Sequence, residues 1–300
     1  MQNKWRQRMQ KETIGIIGLG RMGKAMAQRL SSEGFSVTGW TRRGIGTDEA
    51  ASLNIHPAAT IGELAAASDI IILSLMDDTS VSQMVAALCQ ERIEGRLLVE
   101  TSTVSPETLR SHMAVISEAG ASAIDAPISG GPPQVQSGTI GMYIGGNEAD
   151  YQRFTPVARA LSNRVLHVGP LGHGAAAKLV NNMMLLGFWQ TLKEALTLGR
   201  AAGLSSDTML AFLEGSPAAT PAFKARLPII RGEDNVVGFA LSGVVKDARV
   251  IANLADHLRL SLPAIRASLA SFEEADALGY GNADLATMVR LAAEGKIAEG

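Results

Sequence analysis

The sequence has almost no cysteine: Cys89 is the only one in 300 residues. A single thiol excludes an intrachain disulfide and any multi-cysteine metal site. The chain also lacks an excess of either charge, with 27 Lys and Arg against 29 Asp and Glu, a formal net charge of −2. A general nucleic-acid binder carries a basic patch and a high pI, so this balance argues against that class. No run of about 18 apolar residues occurs, so no transmembrane helix is expected and the membrane is not a partner. Residues 1–12 are polar and mildly basic, with Lys4, Arg6, Arg8 and Lys11. They lack the apolar core of about 7–15 residues that a secretory signal needs. They are expected to form a flexible tail, and the protein to work in a reducing cytoplasm. The five histidines, His56, His112, His167, His173 and His257, show no metal-ligand spacing. No metal is expected. Internal repeats and low-complexity segments are absent too.

What is present is ordinary globular hydrophobicity, 46 %, in a length that fits two domains at about 100–200 residues each. Glycine is the exception. There are 31, where an average composition gives about 21. Apolar runs and helical spacing alternate through the first half: a strand over 13–19, a helix over 22–33 and a strand over 35–40. They continue with a helix over 61–67, a strand over 69–75, a helix over 81–90, a strand over 96–101, a helix over 106–119 and a strand over 121–126. Further strands are expected over 141–145 and 165–168. Such alternation predicts an α/β fold with a Rossmann-like, doubly wound sheet. The pattern changes near Gly169. One uninterrupted helical stretch over 175–202 would be about 40 Å long, and helical segments alone follow it. The expected division is a Rossmann domain over 13–170 and an all-helical domain over 171–300, joined by that long helix.

Gly18-Leu19-Gly20-Arg21-Met22-Gly23 is a G-x-G-x-x-G run. Its place, closing a strand and opening a helix, is the context in which such a run binds a dinucleotide. Gly18 permits the tight turn, Gly20 lets backbone approach a pyrophosphate, and Gly23 lets helix and strand pack closely. The helix N-terminus offers unpaired N–H groups and partial positive charge to the anion. The end of the second strand selects between cofactors. NAD sites place Asp or Glu there for the ribose 2′-hydroxyl. This chain has Gly39-Trp40-Thr41-Arg42-Arg43 instead. Arg suits a 2′-phosphate, which a carboxylate would repel. NADP(H) is therefore the preferred cofactor, with NAD(H) possible.

From Thr13 to Ala293 the chain resembles the β-hydroxyacid dehydrogenase family. That family includes 3-hydroxyisobutyrate dehydrogenases, tartronate semialdehyde reductases and glyoxylate/succinic semialdehyde reductases. The segments that carry the likeness are IGIIGLGRMGKAMAQRL (14–30), ETSTVSPET (100–108), DAPISGGPPQVQSGT (125–139), GPLGHGAAAKLVNN (169–182) and VVKDARVIANLA (244–255). The chain departs from the family pattern at Gln134-Val135, where a small Gly-Ala pair is usual. It departs again at Leu75-Met76, where Leu-Pro is usual. Both departures bear on the shape of the pocket.

Lys178 and Asn182 are four residues apart on the long helix and so share a face. Ala175, Ala176, Ala177, Leu179 and Val180 surround the lysine in sequence, which predicts burial. Burial lowers a lysine's pKa and suits it to proton transfer near neutrality. The resemblance assigns the same residue the family's catalytic role. Lys178 is thus the expected general acid/base, with Asn182 bonding the substrate oxygen or steadying the lysine. Ser129-Gly130-Gly131 offers backbone N–H groups and a hydroxyl to a substrate carboxylate. Thr103 follows a strand at the carboxyl edge, where ligands of such sheets bind. The resemblance places it near the nicotinamide, with Leu75, Met76 and Ser80 along the cofactor. It also implies that Lys246 meets the cofactor from the helical domain; the alternative is a helix-surface pair with Asp247. His173 is a further candidate to line the pocket, and Asp125 is read as shaping a strand end. The expected activity is NADP-dependent hydride transfer to or from a small β-hydroxyacid or semialdehyde. The expected partners are a small carboxylate substrate and copies of the chain itself, as a homodimer or homotetramer. Two alternatives share the fold: an imine reductase and a non-catalytic dinucleotide-binding protein. Lys178 argues against the first, and Lys178 together with Asn182 and Ser129 argues against the second.

Overall fold

A computed structural model describes residues 12–296. Most of the expected tail, residues 1–11, lies outside that range. The chain separates into two compact units, the first running through Leu179 and the second beginning at Val180. The division falls inside the long helix.

The first unit alternates strands and helices: β1 (Ile14–Ile17), α1 (Arg21–Ser32), β2 (Val37–Trp40), α2 (Thr47–Leu53), β3 (His56–Pro57), α3 (Ile61–Ala66), β4 (Ile70–Leu73), α4 (Asp78–Leu88) and β5 (Leu97–Glu100). Then come α5 (Pro106–Arg110), α6 (Met113–Glu118), β6 (Ser122–Asp125), β7 (Ile128–Ser129), α7 (Pro132–Ser137), β8 (Gly141–Gly145), α8 (Glu148–Leu161) and β9 (Arg164–Gly169). The first six strands are parallel, in the order β3-β2-β1-β4-β5-β6. Near-continuous apolar strands such as Ile70-Ile71-Ile72-Leu73 are what a sheet covered on both faces requires. One face buries Ile14, Ile16, Ile70, Ile72, Leu97 and Val99 with Met26 and Leu30 of α1 and Phe154 of α8. The other buries Ile17, Ile71, Leu73 and Leu98 with Leu64, Val81, Val85, Leu109 and Ile116. Beyond β6 the sheet turns mixed: β8 runs antiparallel to β6 and β7 and parallel to β9. The fold class read from the sequence is the one observed.

Three local differences from the sequence reading have physical causes. The helix expected over 106–119 breaks at Ser111-His112. Ser111 Oγ and His112 Nδ1 both approach the Thr108 carbonyl, at 3.1 and 2.9 Å, and compete with the helical ladder. Helix α8 was not legible because Pro156 sits inside it. The Asn147 side chain caps its first turn by accepting from the Asp150 N–H at 2.9 Å, and Phe154, Val157 and Leu161 are buried along it. The short helix α7 opens on the Pro132-Pro133 pair, which reads as a loop in the sequence but is tolerated in a first helical turn, where the missing N–H groups would be unpaired anyway.

Helix α9 (His173–Ala201) begins in the first unit and continues into the second. The second unit contains α10 (Ser206–Glu214), α11 (Pro221–Lys224), α12 (Leu227–Arg231), α13 (Leu241–His257), α14 (Pro263–Ala275) and α15 (Ala286–Ala293). Trp189, Phe223 and Phe272 fill its core. The Arg226 guanidinium lies 5.6 Å from the Trp189 ring centre and pairs with buried Asp284 at 2.9 Å. Asp284 also accepts from the amides of Gly238, Phe239 and Ala286. No helix among the described residues is long and apolar enough to cross a membrane.

Candidate active site

The strand order reverses at β1 and β4, because β2 and β3 lie on one side of β1 and β4 to β6 on the other. Ligands of doubly wound sheets bind outside the carboxyl ends of the strands at such a point. The G-x-G-x-x-G run leaves β1 there. Gly18 has φ +95°, and a Cβ on it would press on the Ser74 carbonyl. A Cβ on Gly23 would overlap the Gly18 carbonyl. Gly20 differs: its backbone is extended and a Cβ there would meet nothing within 4 Å. It caps α1 without any side-chain bond. Leu19 is buried, Met22 half-buried and Arg21 exposed. Open space beside a helix N-terminus that has no side-chain cap fits a pyrophosphate.

At the end of β2, Thr41 Oγ1 donates to the Gly44 carbonyl at 2.8 Å, closing a turn. That turn holds Arg42 and Arg43 in solvent. Neither makes an ion pair among the described residues. After β4, the Leu75 amide donates to Ser102 Oγ at 2.9 Å, tying the loops of β4 and β5 together. Met76 is 72 % exposed beside it. The Ser80 amide donates to Asp77 Oδ1 at 2.7 Å, so the Asp77 side chain caps α4. Thr103 is half-buried in the β5–α5 loop. That loop is held by Asp78 Oδ1, which accepts from the Ser105 amide at 2.7 Å and from the Thr108 hydroxyl. Thus the loops carrying Leu75, Met76 and Thr103, and the first turn of α4 with Ser80, follow the carboxyl ends of strands parallel to β1, as the glycine run does.

Ser129 ends β7 and is half-buried, with Gly130 exposed next to it at φ +139°. The Gly131 amide is taken by its own chain: it donates to Gln134 Oε1 at 3.0 Å. The departure from the family pattern at Gln134 therefore has a structural consequence, because a carboxylate at this amide must displace that side chain. Lys178 is 8 % exposed, on the second turn of α9. His173 opens the helix in solvent, with Nδ1 3.3 Å from the Val168 carbonyl. Ahead of Lys178, Asp125 Oδ1 accepts from the Gly172 amide at 2.7 Å and Oδ2 from the Ala175 amide at 2.5 Å. Burial pushes the Asp125 carboxyl above the usual aspartate range; the two amides and the Arg110 guanidinium pull it partly back.

One turn beyond Lys178 on the same helix, Asn182 is 2 % exposed. In the second unit its Nδ2 donates to Asp247 Oδ2 at 2.7 Å, and Lys246 Nζ is 2.5 Å from Asp247 Oδ1. The pairing of Lys246 with Asp247, the alternative reading of that lysine, is present. The carboxylate itself is buried rather than on the helix surface. Sequence reasoning gave Asp247 no place beside Asn182. The available signal was an acid flanked by Val244, Val245 and Ala248 on the buried face of α13. Trp189 is fully buried, edge-on to Phe188 at 5.7 Å. Among the described residues no group of three His, Cys, Asp or Glu could hold a metal.

Residues 13–169 match the profile described as the NAD binding domain of 6-phosphogluconate dehydrogenase. Residues 172–292 match that of the NAD-binding of NADP-dependent 3-hydroxyisobutyrate dehydrogenase. The chain is 31 % identical to 2-(hydroxymethyl)glutarate dehydrogenase of Eubacterium barkeri over 285 residues, covering 93 % of this chain and 94 % of that one. It is 29 % identical to glyoxylate/succinic semialdehyde reductase 1 of Arabidopsis thaliana, covering 92 % and 96 %. A solved 3-hydroxyisobutyrate dehydrogenase of Mycobacterium tuberculosis with L-serine has the same fold, with TM-score 0.81 and 23 % identity over 93 % of this chain and 98 % of that one. With profiles and relatives that span both units, the chain belongs to the β-hydroxyacid dehydrogenase family and is an NAD(P)-dependent dehydrogenase acting on the CH–OH group.

Proposed function

We propose that this dehydrogenase interconverts a small carboxylate-bearing hydroxyacid and its carbonyl form with NADP(H), and that Lys178 is its general acid/base. The observation that carries the reading is the burial of Lys178, 8 % exposed, just past a helix end held by a carboxylate. A long flexible cation confined in this way can present its ammonium at one place. In oxidation Lys178 takes the substrate hydroxyl proton; in reduction it returns that proton to the carbonyl oxygen. The bound nicotinamide accepts or supplies the hydride. Asn182 bonds the substrate oxygen or steadies Lys178 from the next turn. The Ser129 hydroxyl and Gly130 amide receive the carboxylate, joined by the Gly131 amide when Gln134 releases it.

Gly18, Leu19, Gly20, Arg21, Met22 and Gly23 would hold the pyrophosphate. Thr41, Arg42 and Arg43 would take the 2′-phosphate. Leu75, Met76, Ser80 and Thr103 would border the cofactor, and Lys246 would meet it from the helical unit. The NADP preference is supported by the two arginines, which form no ion pair among the described residues, and by the absence of an acid directly after Trp40. The partners proposed are the small carboxylate substrate and further copies of the chain, in a homodimer or homotetramer. An assay panel tests the reading. NADP+ and NAD+ are offered with 3-hydroxyisobutyrate, glycerate, serine and 4-hydroxybutyrate; NADPH and NADH are offered with glyoxylate and succinic semialdehyde. Turnover of at least one pair, faster with the phosphorylated cofactor, is expected. Silence across the panel would overturn the activity, and faster turnover with NADH would overturn the cofactor preference.

A further inference from the structure

A helix N-terminus leaves orphan amides that a Ser, Thr, Asp or Asn directly ahead of it ordinarily caps. Helix α9 has no such residue: Leu171 and Gly172 precede His173. Its cap comes from Asp125, 47 and 50 residues away in sequence. One carboxylate oxygen takes the Gly172 amide and the other the Ala175 amide, so the first turn is gripped at both ends. Close approach is built into the surroundings. A Cβ on Gly145 would stand 2.5 Å from Asp125 Oδ1, and one on Gly174 2.8 Å from Oδ2. Arg110 of α5 adds a second tie, its Nε donating to the Leu171 carbonyl at 2.7 Å. Asp125 closes β6, and the chain runs from it through Ala126-Pro127-Ile128 directly to Ser129. The same residue thus joins the segment proposed for the substrate carboxylate to the helix that carries Lys178, and Lys178 follows Ala175 by one turn. All of these groups lie in the first unit.

We infer that Asp125 is a positioning residue: through its two amide bonds it fixes Lys178 relative to Ser129 and Gly130, and the rate of hydride transfer depends on that registration. The inference rests on Lys178 being the proton carrier. A displacement of about 1 Å between reacting groups can cost about a hundredfold in rate. Asp125→Asn keeps the shape but leaves a single acceptor, so one amide bond is lost.

The test uses the fastest substrate of the panel with NADPH or its 4-deuterated form. It compares wild type, Asp125→Asn, Lys178→Ala and the double variant. Asp125→Asn is expected to lower kcat about ten- to a hundredfold, to raise the deuterium isotope effect, and to leave the NADPH Kd within about twofold. The double variant is expected to be no slower than Lys178→Ala, because both changes act on one step. A wild-type kcat and isotope effect in Asp125→Asn, with only a lowered Tm, would overturn the inference and leave a plain cap. A double variant slower than Lys178→Ala by the full Asp125→Asn factor would also overturn it. If Lys178→Ala turned over at the wild-type rate, the proton-carrier reading would fall and take the inference with it. That signature differs from an inactive Lys178→Ala beside an unaffected Asp125→Asn, which removes the inference alone. Should Asp125→Asn not fold, Arg110→Gln loosens the same helix end. A severalfold drop in kcat with the same isotope signature supports the inference, and a wild-type kcat overturns it.

Discussion

Arg42 and Arg43 stand in solvent and pair with no carboxylate among the described residues, so no ion pair with those residues has to break when a phosphate arrives. Charge-assisted bonds from guanidinium to phosphate contribute about 1.5–3 kcal/mol each. Replacing both residues by Ala is expected to raise the KM for NADPH about ten- to a hundredfold and to leave that for NADH within about twofold; parallel initial-rate titrations check it. Asp125 makes a prediction of a different kind. Its carboxyl is raised chiefly by burial, so the folded state holds the proton more tightly than the unfolded chain. The stability this contributes is complete below the ordinary aspartate value and is lost as pH rises through the raised folded value. Above that window it is flat. Relative to Asp125→Asn, the wild type should therefore lose stability with rising pH across that window. Urea unfolding of both proteins over about pH 4–8 measures it, and a difference that ran the other way would contradict the assignment. The Ala175 and Gly172 amides, and after them the Arg110 guanidinium, limit the size of the shift.

At the scale of elements, the β1–α1 turn separates two uses of glycine. Gly18 needs its positive φ and lies against the Ser74 carbonyl; Gly20 has an ordinary backbone and open space. Gly18→Ala should lower Tm by about 5 °C or more, from left-handed strain plus overlap. Gly20→Ala should leave Tm within about 2 °C and weaken cofactor binding, since its methyl would project into the open space proposed for the pyrophosphate. Thermal melts with and without NADP+ distinguish them. These elements were legible because their signals are local: a run of Ile, a glycine turn, a helical spacing. Helix α8 was not, because Pro156 breaks the pattern while distant burial of Phe154 and Leu161 sustains the helix. The Ser111-His112 break was hidden for a similar reason, as two side chains compete for one carbonyl. The candidate residues themselves were readable, but their partners were not. Asn182 meets Asp247 across 65 residues of sequence and Ala175 meets Asp125 across 50, and no periodicity carries such distances. Gln134 was noticed as a departure from pattern; that its side chain occupies the Gly131 amide is a fact of three dimensions.

For the whole molecule, a dinucleotide-binding unit and a helical unit share one continuous helix. On that helix Val180, Met184 and Leu198 are 67, 75 and 72 % exposed. Apolar side chains left in water along one helix are a feature of surfaces that assemble. Sedimentation of the purified chain is expected to give the mass of two or four copies, and a monomer at micromolar concentration would contradict that expectation. The proposed activity rests on one group, Lys178. Single-turnover oxidation of NADPH by the best substrate of the panel, in wild type and in folded Lys178→Ala, is the most direct measurement. A loss of about a thousandfold is expected in the variant, with NADPH still bound at close to the wild-type Kd. An Ala variant that oxidised NADPH at the wild-type rate would contradict it.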